Sequence, residues 1–162
     1  MNKIFYLGRI AKIKDLEILD KALFNTNIKA DAIGPIEKGY NPEFKNIEIK
    51  PPIYDLKKKI KQIDKYHIFI LPSKREAMPQ ALLEAMARGK IVIASETDGA
   101  KEIIESRKNG FLFKIGNPFE LRLLIFTVLN YSNEVIKEIE KEAIKTARQF
   151  QINKLMEKWE KL

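Results

Sequence analysis

Short apolar runs alternate with helical segments along the chain, which predicts an α/β domain built on a parallel sheet of about six strands with helices on both faces. Two further observations support this class. The apolar runs stop at glycine or at proline and glycine pairs, and His67 to Leu71 reads as the continuous apolar run of a strand covered on both sides. The length, 162 residues, suits one domain able to bury its own core, so residues 1–162 are expected to form a single unit with 133–162 as a helical C-terminal extension.

Ile4 to Leu7 is the first strand, ended by Gly8, and the spacing of Leu16, Leu19, Leu23 and Phe24 predicts the helix after it. A second strand spans Ile28 to Ile33 and stops at Gly34-Pro35; a third, Asn46 to Lys50, stops at Pro51-Pro52. Asp55 is placed to cap a helix whose apolar face is Leu56, Ile60 and Ile63. After the His67 strand come a helix from Pro79 to Arg88, a strand from Ile91 to Ala94, a short helix from Gly99 to Ser106 and a last strand from Gly110 to Phe113. Asn117-Pro118-Phe119-Glu120 is a helix start with cap, proline and capping-box glutamate. From Asn133 the chain reads as helix, with Ile136, Ile139, Ile144 and Phe150 turned inward. The pattern is Rossmann-like.

Composition removes several chemistries. There is no cysteine, which excludes disulfides and thiolate metal sites, and a single histidine, His67, leaves little for a histidine metal cluster or a Ser-His-Asp triad. His67 itself reads as a packed or hydrogen-bonded strand residue. Thirty basic against 22 acidic side chains give a net charge of +8. Lysine, isoleucine and glutamate in excess suit a thermophile and an AT-rich genome equally. Ile4 to Leu7 is too short for the apolar region of a signal peptide, so a soluble, cytoplasmic protein is expected. The Lys57-Lys58-Lys59-Ile60-Lys61 run reads as a solvated helix face; its alternative is peripheral contact with the inner face of an anionic membrane.

In open parallel sheets ligands bind beyond the carboxyl ends of the strands. The loops there hold Gly8-Arg9 with Lys12 and Lys14, then Gly34-Pro35, Pro51-Pro52, and Ser73 to Met78 ahead of a helix. Glycines, cations and a helix N-terminus converging on one edge suit a phosphate-bearing ligand.

The run from Ser73 through Lys90 resembles the signature of the retaining GT-B glycosyltransferases of family 4, with two glutamates, Glu76 and Glu84, in its characteristic positions. Gly8-Arg9-Ile10-Ala11-Lys12-Ile13-Lys14 is similar to that family's Gly-Arg-x-x-x-x-Lys segment, and Ile91 to Ser95, Gly99 to Ile104 and Asn109 to Leu112 follow in the family's order. The resemblance covers Lys3 to Asn130 and implies the C-terminal, donor-binding half of a GT-B fold. It implies that Arg9 and Lys14 meet the donor's diphosphate and neutralise the leaving group, with Gly8 and the backbone around Met78, Pro79, Gln80 and Ala81 contributing. Glu84 would accept the ribose hydroxyls, Glu76 would face the donor sugar, and the Pro51-Pro52-Ile53 turn would lie beside the base. The donor is a nucleotide sugar of UDP, GDP or ADP type, and no metal is expected. Asp15 and Ala77 stand where such proteins commonly have glycine.

The family's acceptor-binding domain has no counterpart in these residues, so the acceptor is expected to be held by a domain elsewhere on a longer chain or on a separate subunit. A non-catalytic nucleotide-sugar binder is the alternative; a basic nucleic-acid module is less well supported, for want of a face interleaving aromatic and basic residues. Ile152, Leu155, Met156, Trp159 and Leu162 form an apolar stripe at helical spacing that is expected to be covered by this domain or by a second copy in a homodimer.

Overall fold

The computed structural model describes the backbone of residues 3–159 and the side chains of residues 3–151. Six strands, β1 (Ile4–Leu7), β2 (Ala30–Ile33), β3 (Ile47–Lys50), β4 (Ile68–Leu71), β5 (Ile91–Ser95) and β6 (Phe111–Phe113), form one parallel sheet in the order β3-β2-β1-β4-β5-β6. The helices are α1 (Leu16–Ala22), α2 (Leu56–Ile63), α3 (Gln80–Ala87), α4 (Asp98–Ile103), α5 (Pro118–Leu129) and α6 (Asn133–Trp159), with a 3₁₀ turn at Lys12–Lys14. α1 packs with α5 on one face of the sheet and α3 with α6 on the other. This is the expected α/β class with helices on both faces.

The central strands are fully buried runs: every residue of β1, β4 and β5 is buried, as a sheet covered on both faces requires, whereas the edge strand β3 alternates with Glu48 and Lys50. At the centre of the sheet Phe5 stacks on Tyr66 (4.7 Å between centroids, 29°) and meets Phe69 edge-on (5.2 Å, 61°). The order reverses direction at β1, so the connections after β1 and β4 leave on opposite sides. Register sharpens this. β1 pairs with β2 through all four of its residues but with β4 only at Ile4↔Ile68 and Phe5↔Phe69, so the sheet parts toward its carboxyl edge between β1 and β4.

Caps account for the helix boundaries. The Asp55 carboxylate accepts from the Lys58 amide (2.8 Å) and opens α2, and Thr97 does the same for α4 through Ala100. Asn117 accepts from Glu120 N (3.0 Å), but the reciprocal half of the expected capping box is absent: the Glu120 carboxylate accepts from Lys114 N (2.8 Å) and ties α5 to the end of β6 instead. Arg122 of α5 donates to the carbonyls of Ala22, Lys21 and Phe24, closing the C-terminus of α1 across the interface. Among the described side chains of α6 the buried positions are Ile139, Ala143 and Ala147, whereas Ile136, Ile144 and Phe150 flank them half-buried. Small alanines let α6 approach α3 closely, which counting only large apolar residues misses. The Ile152, Leu155, Met156, Trp159 and Leu162 stripe lies outside the described side chains. Among the described residues no helix is long and apolar enough to cross a membrane.

Gly34 sits where no side chain fits: a Cβ there would lie 1.9 Å from the Gly8 carbonyl oxygen. Gly34→Ala is therefore expected to destabilise the domain by about 2 kcal/mol or more, because both clashing atoms are backbone. Denaturant unfolding checks it, and a cost below about 0.5 kcal/mol would show that the two loops separate freely.

His67 supplies a pH test. Its Nδ1 accepts the Lys3 amide (3.1 Å), and partial burial, followed by the charges of Lys90 and Lys3, holds its pKa below the ordinary value. Its contribution is complete above the unfolded pKa of about 6.5 and is lost as pH falls through the lower folded value, because the unfolded chain binds the proton first. Thermal melts on either side of about pH 6.5 should show a smaller acid loss for His67→Gln than for the native chain.

Candidate functional site

The parted carboxyl edge between β1 and β4 opens into a depression of about 260 Å³. Tyr6, Leu7, Gly8, Arg9 and Lys14 form one wall; Leu71, Glu76, Met78, Pro79, Gln80 and Ala81 form the other. Six of them, Gly8, Arg9, Lys14, Glu76, Met78 and Pro79, lie on the segments after β1 and β4, which main-chain hydrogen bonds stitch to each other and to their neighbours. Lys74 N donates to Ile13 O (3.0 Å), joining the β4 loop to the β1 loop, and Gly99 N donates to Glu76 O (2.9 Å), joining it to α4. Ile10 N donates to Pro35 O (2.8 Å) and Glu37 N to Ile10 O (2.9 Å), joining the β1 and β2 loops.

Glu76 is the most tightly held side chain in the depression. Its Oε1 accepts from Lys14 Nζ (2.5 Å) and from Ser73 Oγ (2.7 Å), and the two charged side chains are 10% and 20% exposed. Ser73 is buried, and its own carbonyl accepts from Ser95 Oγ on β5 (2.5 Å). The glutamate is thus fixed through two buried serines to the interior of the sheet. The sequence reading did not single out either serine, since a lone small polar residue leaves no periodic signal.

Lys14 reaches Glu76 because the 3₁₀ turn at Lys12–Lys14 ends in a left-handed residue, Asp15 (φ 53°). That conformation is what a glycine would adopt without strain. Asp15 is buried, which pushes its carboxyl above the usual range against the pull of Lys74. Ala77 has no such constraint: it is absent from the residues with positive φ, so its side chain replaces glycine at no backbone cost. The steric demand has moved to Gly99, where a Cβ would lie 2.5 Å from the Ala77 carbonyl oxygen.

Beneath the β1 loop the Tyr6 phenol donates to the Arg9 carbonyl (2.7 Å). Burial, then the nearby Glu76 charge, holds this phenol well above its ordinary pKa, so it remains a donor. The Arg9 guanidinium turns outward to Glu37 (3.2 Å) and is 58% exposed, at the rim of the depression. α3 begins after Pro79 with no side-chain cap; the Leu82 and Leu83 amides donate to the Pro79 carbonyl, which leaves those of Gln80 and Ala81 available to an anion. Glu84, one turn further along α3, is 38% exposed and pairs with Lys59 of α2 (2.9 Å). Ile53 is half-buried against the core and does not line the depression.

The Lys14–Glu76 pair is shielded enough to matter for stability. Lys14→Met is expected to cost more than the double change Lys14→Met with Glu76→Gln, with a coupling of about 1–3 kcal/mol in a double-mutant cycle followed by urea unfolding. Additive single changes would show that the pair contributes nothing.

Comparison with known proteins follows this geometry. The family described as glycosyl transferases group 1 matches residues 1–150. The capsular polysaccharide biosynthesis glycosyltransferase CapH of Staphylococcus aureus is 27% identical over 169 aligned positions, covering 94% of this chain and 44% of CapH. The fold is shared with Anabaena HepE, solved with UDP and glucose (TM-score 0.79, 22% identity, 97% of this chain and 47% of that one). It is shared equally with the C-terminal domain of the group 1 protein LpcC of Francisella tularensis (TM-score 0.76, 20% identity, 91% of this chain and 85% of that domain). The chain spans less than half the length of the curated relatives it matches. By the match over nearly its whole length, this chain belongs to the group 1 glycosyl transferases.

Proposed function

We propose that the domain binds a nucleotide sugar and supplies the donor half of a retaining glycosyl transfer of the family 4 type. The observation that carries this reading is the single depression between β1 and β4 in which Lys14, Glu76 and the uncapped start of α3 meet, with Glu84 one turn beyond. Relatives that carry out glycosyl transfer, and a structural neighbour solved with UDP and glucose, support it.

In this reading the diphosphate lies across the first turn of α3, and its arrival draws Lys14 from Glu76 onto a phosphate oxygen. The carboxylate so released faces the sugar. When the bond from the anomeric carbon to the diphosphate oxygen breaks, the diphosphate leaves with the electron pair. Lys14, the α3 amides and Arg9 from the rim then stabilise the charge it gains. Glu76 stands opposite, where positive charge develops on the sugar. The chemistry at the leaving group is supplied by side-chain cations and backbone, without a metal.

The acceptor belongs to a second domain facing this edge. Ile13, Ile36, Tyr54, Met78 and Ile115 are large and exposed, and they follow the ends of β1, β2, β3, β4 and β6 respectively. An apolar rim around a charged depression is the surface expected of an interface rather than of a solvated edge.

Calorimetric titration with UDP, GDP and ADP, then with sugar conjugates of whichever binds, tests the reading. Lys14→Ala should weaken the bare nucleotide by about 1.5–3 kcal/mol, and Arg9→Ala by less because its guanidinium starts at the exposed rim. Glu84→Ala should weaken bare nucleotide, whereas Glu76→Ala should spare it and impair recognition of the sugar. Equal behaviour of the two glutamate variants toward bare nucleotide overturns the assignment of roles.

A further inference from the structure

α2 carries the lysine run that reads, in sequence, as a solvated face. Lys57, Lys58 and Lys61 are indeed exposed. Lys59 is not: its side chain is 24% exposed and its ammonium lies 2.9 Å from Glu84 Oε1. The difference follows from helix phase. The Asp55 cap sets where α2 begins, and residue 59 then shares a face with Leu56 and Ile63, three and four residues away. That face lines an apolar hollow of about 270 Å³ against Leu83, Glu84 and Ala87 of α3.

Two ion pairs join the helices beside the hollow, the second between the residues that end them. One is Lys59–Glu84. The other is a two-pronged contact from the Arg88 guanidinium to Asp64, at 2.8 and 2.7 Å. Met78 and Gln80 line both this hollow and the depression between β1 and β4, so the two are contiguous.

We propose that Lys59 is a positioning residue for nucleotide recognition: its ammonium holds Oε1 of Glu84 and thereby orients the carboxylate toward the ribose of the bound nucleotide. This rests on the reading of Glu84 as the ribose acceptor given above. A carboxylate offers about four lone-pair sites, so one donor on Oε1 restricts rotation and leaves Oε2 free for hydroxyl donors. Without Lys59, a half-exposed glutamate on a helix surface samples several rotamers, and ribose binding must select one of them. Specificity for ribose over deoxyribose therefore depends on α2, an element that lines the neighbouring hollow and not the depression itself.

The test is calorimetric titration of the chain with the nucleoside diphosphate that binds and with its 2′,3′-dideoxy form. Lys59→Met is expected to weaken the ribonucleotide by about threefold to tenfold, the range of a partly exposed charged contact, and to leave the dideoxy form unchanged. Lys59→Arg should restore most of the loss, which a merely misfolded helix would not allow. In a Glu84→Gln background Lys59→Met should add little. Equal weakening of both nucleotides by Lys59→Met overturns the proposal, since it would place Lys59 on the phosphates. So does native-like discrimination by Lys59→Met in a chain whose Glu84→Gln variant has lost it; there the ribose reading stands and the positioning role falls. A native chain that binds no nucleoside diphosphate overturns both.

Discussion

The carboxyl edge of the sheet is governed by how closely main chains approach one another. At Gly34 and Gly99 an added Cβ would fall 1.9 Å from the Gly8 oxygen and 2.5 Å from the Ala77 oxygen. Both contacts are backbone against backbone, so nothing can rotate aside. They bring the β2 loop onto the β1 loop, and α4 onto the segment that bears Glu76. The hydrogen bond from Gly99 N to Glu76 O exists only because of the second approach. The position of Glu76, and so of Lys14 opposite it, is inherited from these two missing side chains.

Charge at this edge is balanced internally before any ligand arrives. Lys14 lies on Glu76, Lys59 on Glu84, and Arg9 on Glu37. A net charge of +8 suggests a basic anion site, yet the two cations that line the depression, Arg9 and Lys14, are each matched by a glutamate. Pre-pairing limits the cost of burying Glu76, which would otherwise have to shed its hydration without compensation. It also makes ligand binding an exchange of partners, with the helix amides supplying donors that no carboxylate occupies.

The elements were legible in the sequence because each signal is local: apolar runs, helical spacing, and the caps Asp55 and Asn117. Lys14 and Glu76 sit in an ordered set of segments that singled them out in the sequence, and the structure brings the two together. What escaped is of one kind. The Ser95–Ser73–Glu76 relay, the Arg122 clamp on α1 and the choice of Lys59 from among the lysines of α2 all join residues far apart in the chain. No spacing rule encodes such pairs. The direction of Arg9 escaped for the same reason, since Glu37 lies beyond the next strand. Asp15 shows the opposite case: its departure from glycine was visible, but only its left-handed backbone explains why glycine is favoured there.

The early parting of β1 from β4 has a consequence for how such a protein can change over time. The crevice exists because two ladder rungs are followed by divergence, a matter of strand length and topology. Side chains line it but do not carve it. Substitutions among Met78, Gln80 and Ala81, or at Arg9, alter what the crevice prefers while leaving its walls standing. The scaffold thus separates two kinds of mutational risk. Losing a glycine at the edge endangers the fold, whereas replacing Met78, Gln80, Ala81 or Arg9 changes the ligand, and new specificities are reached through the second route without passing through the first.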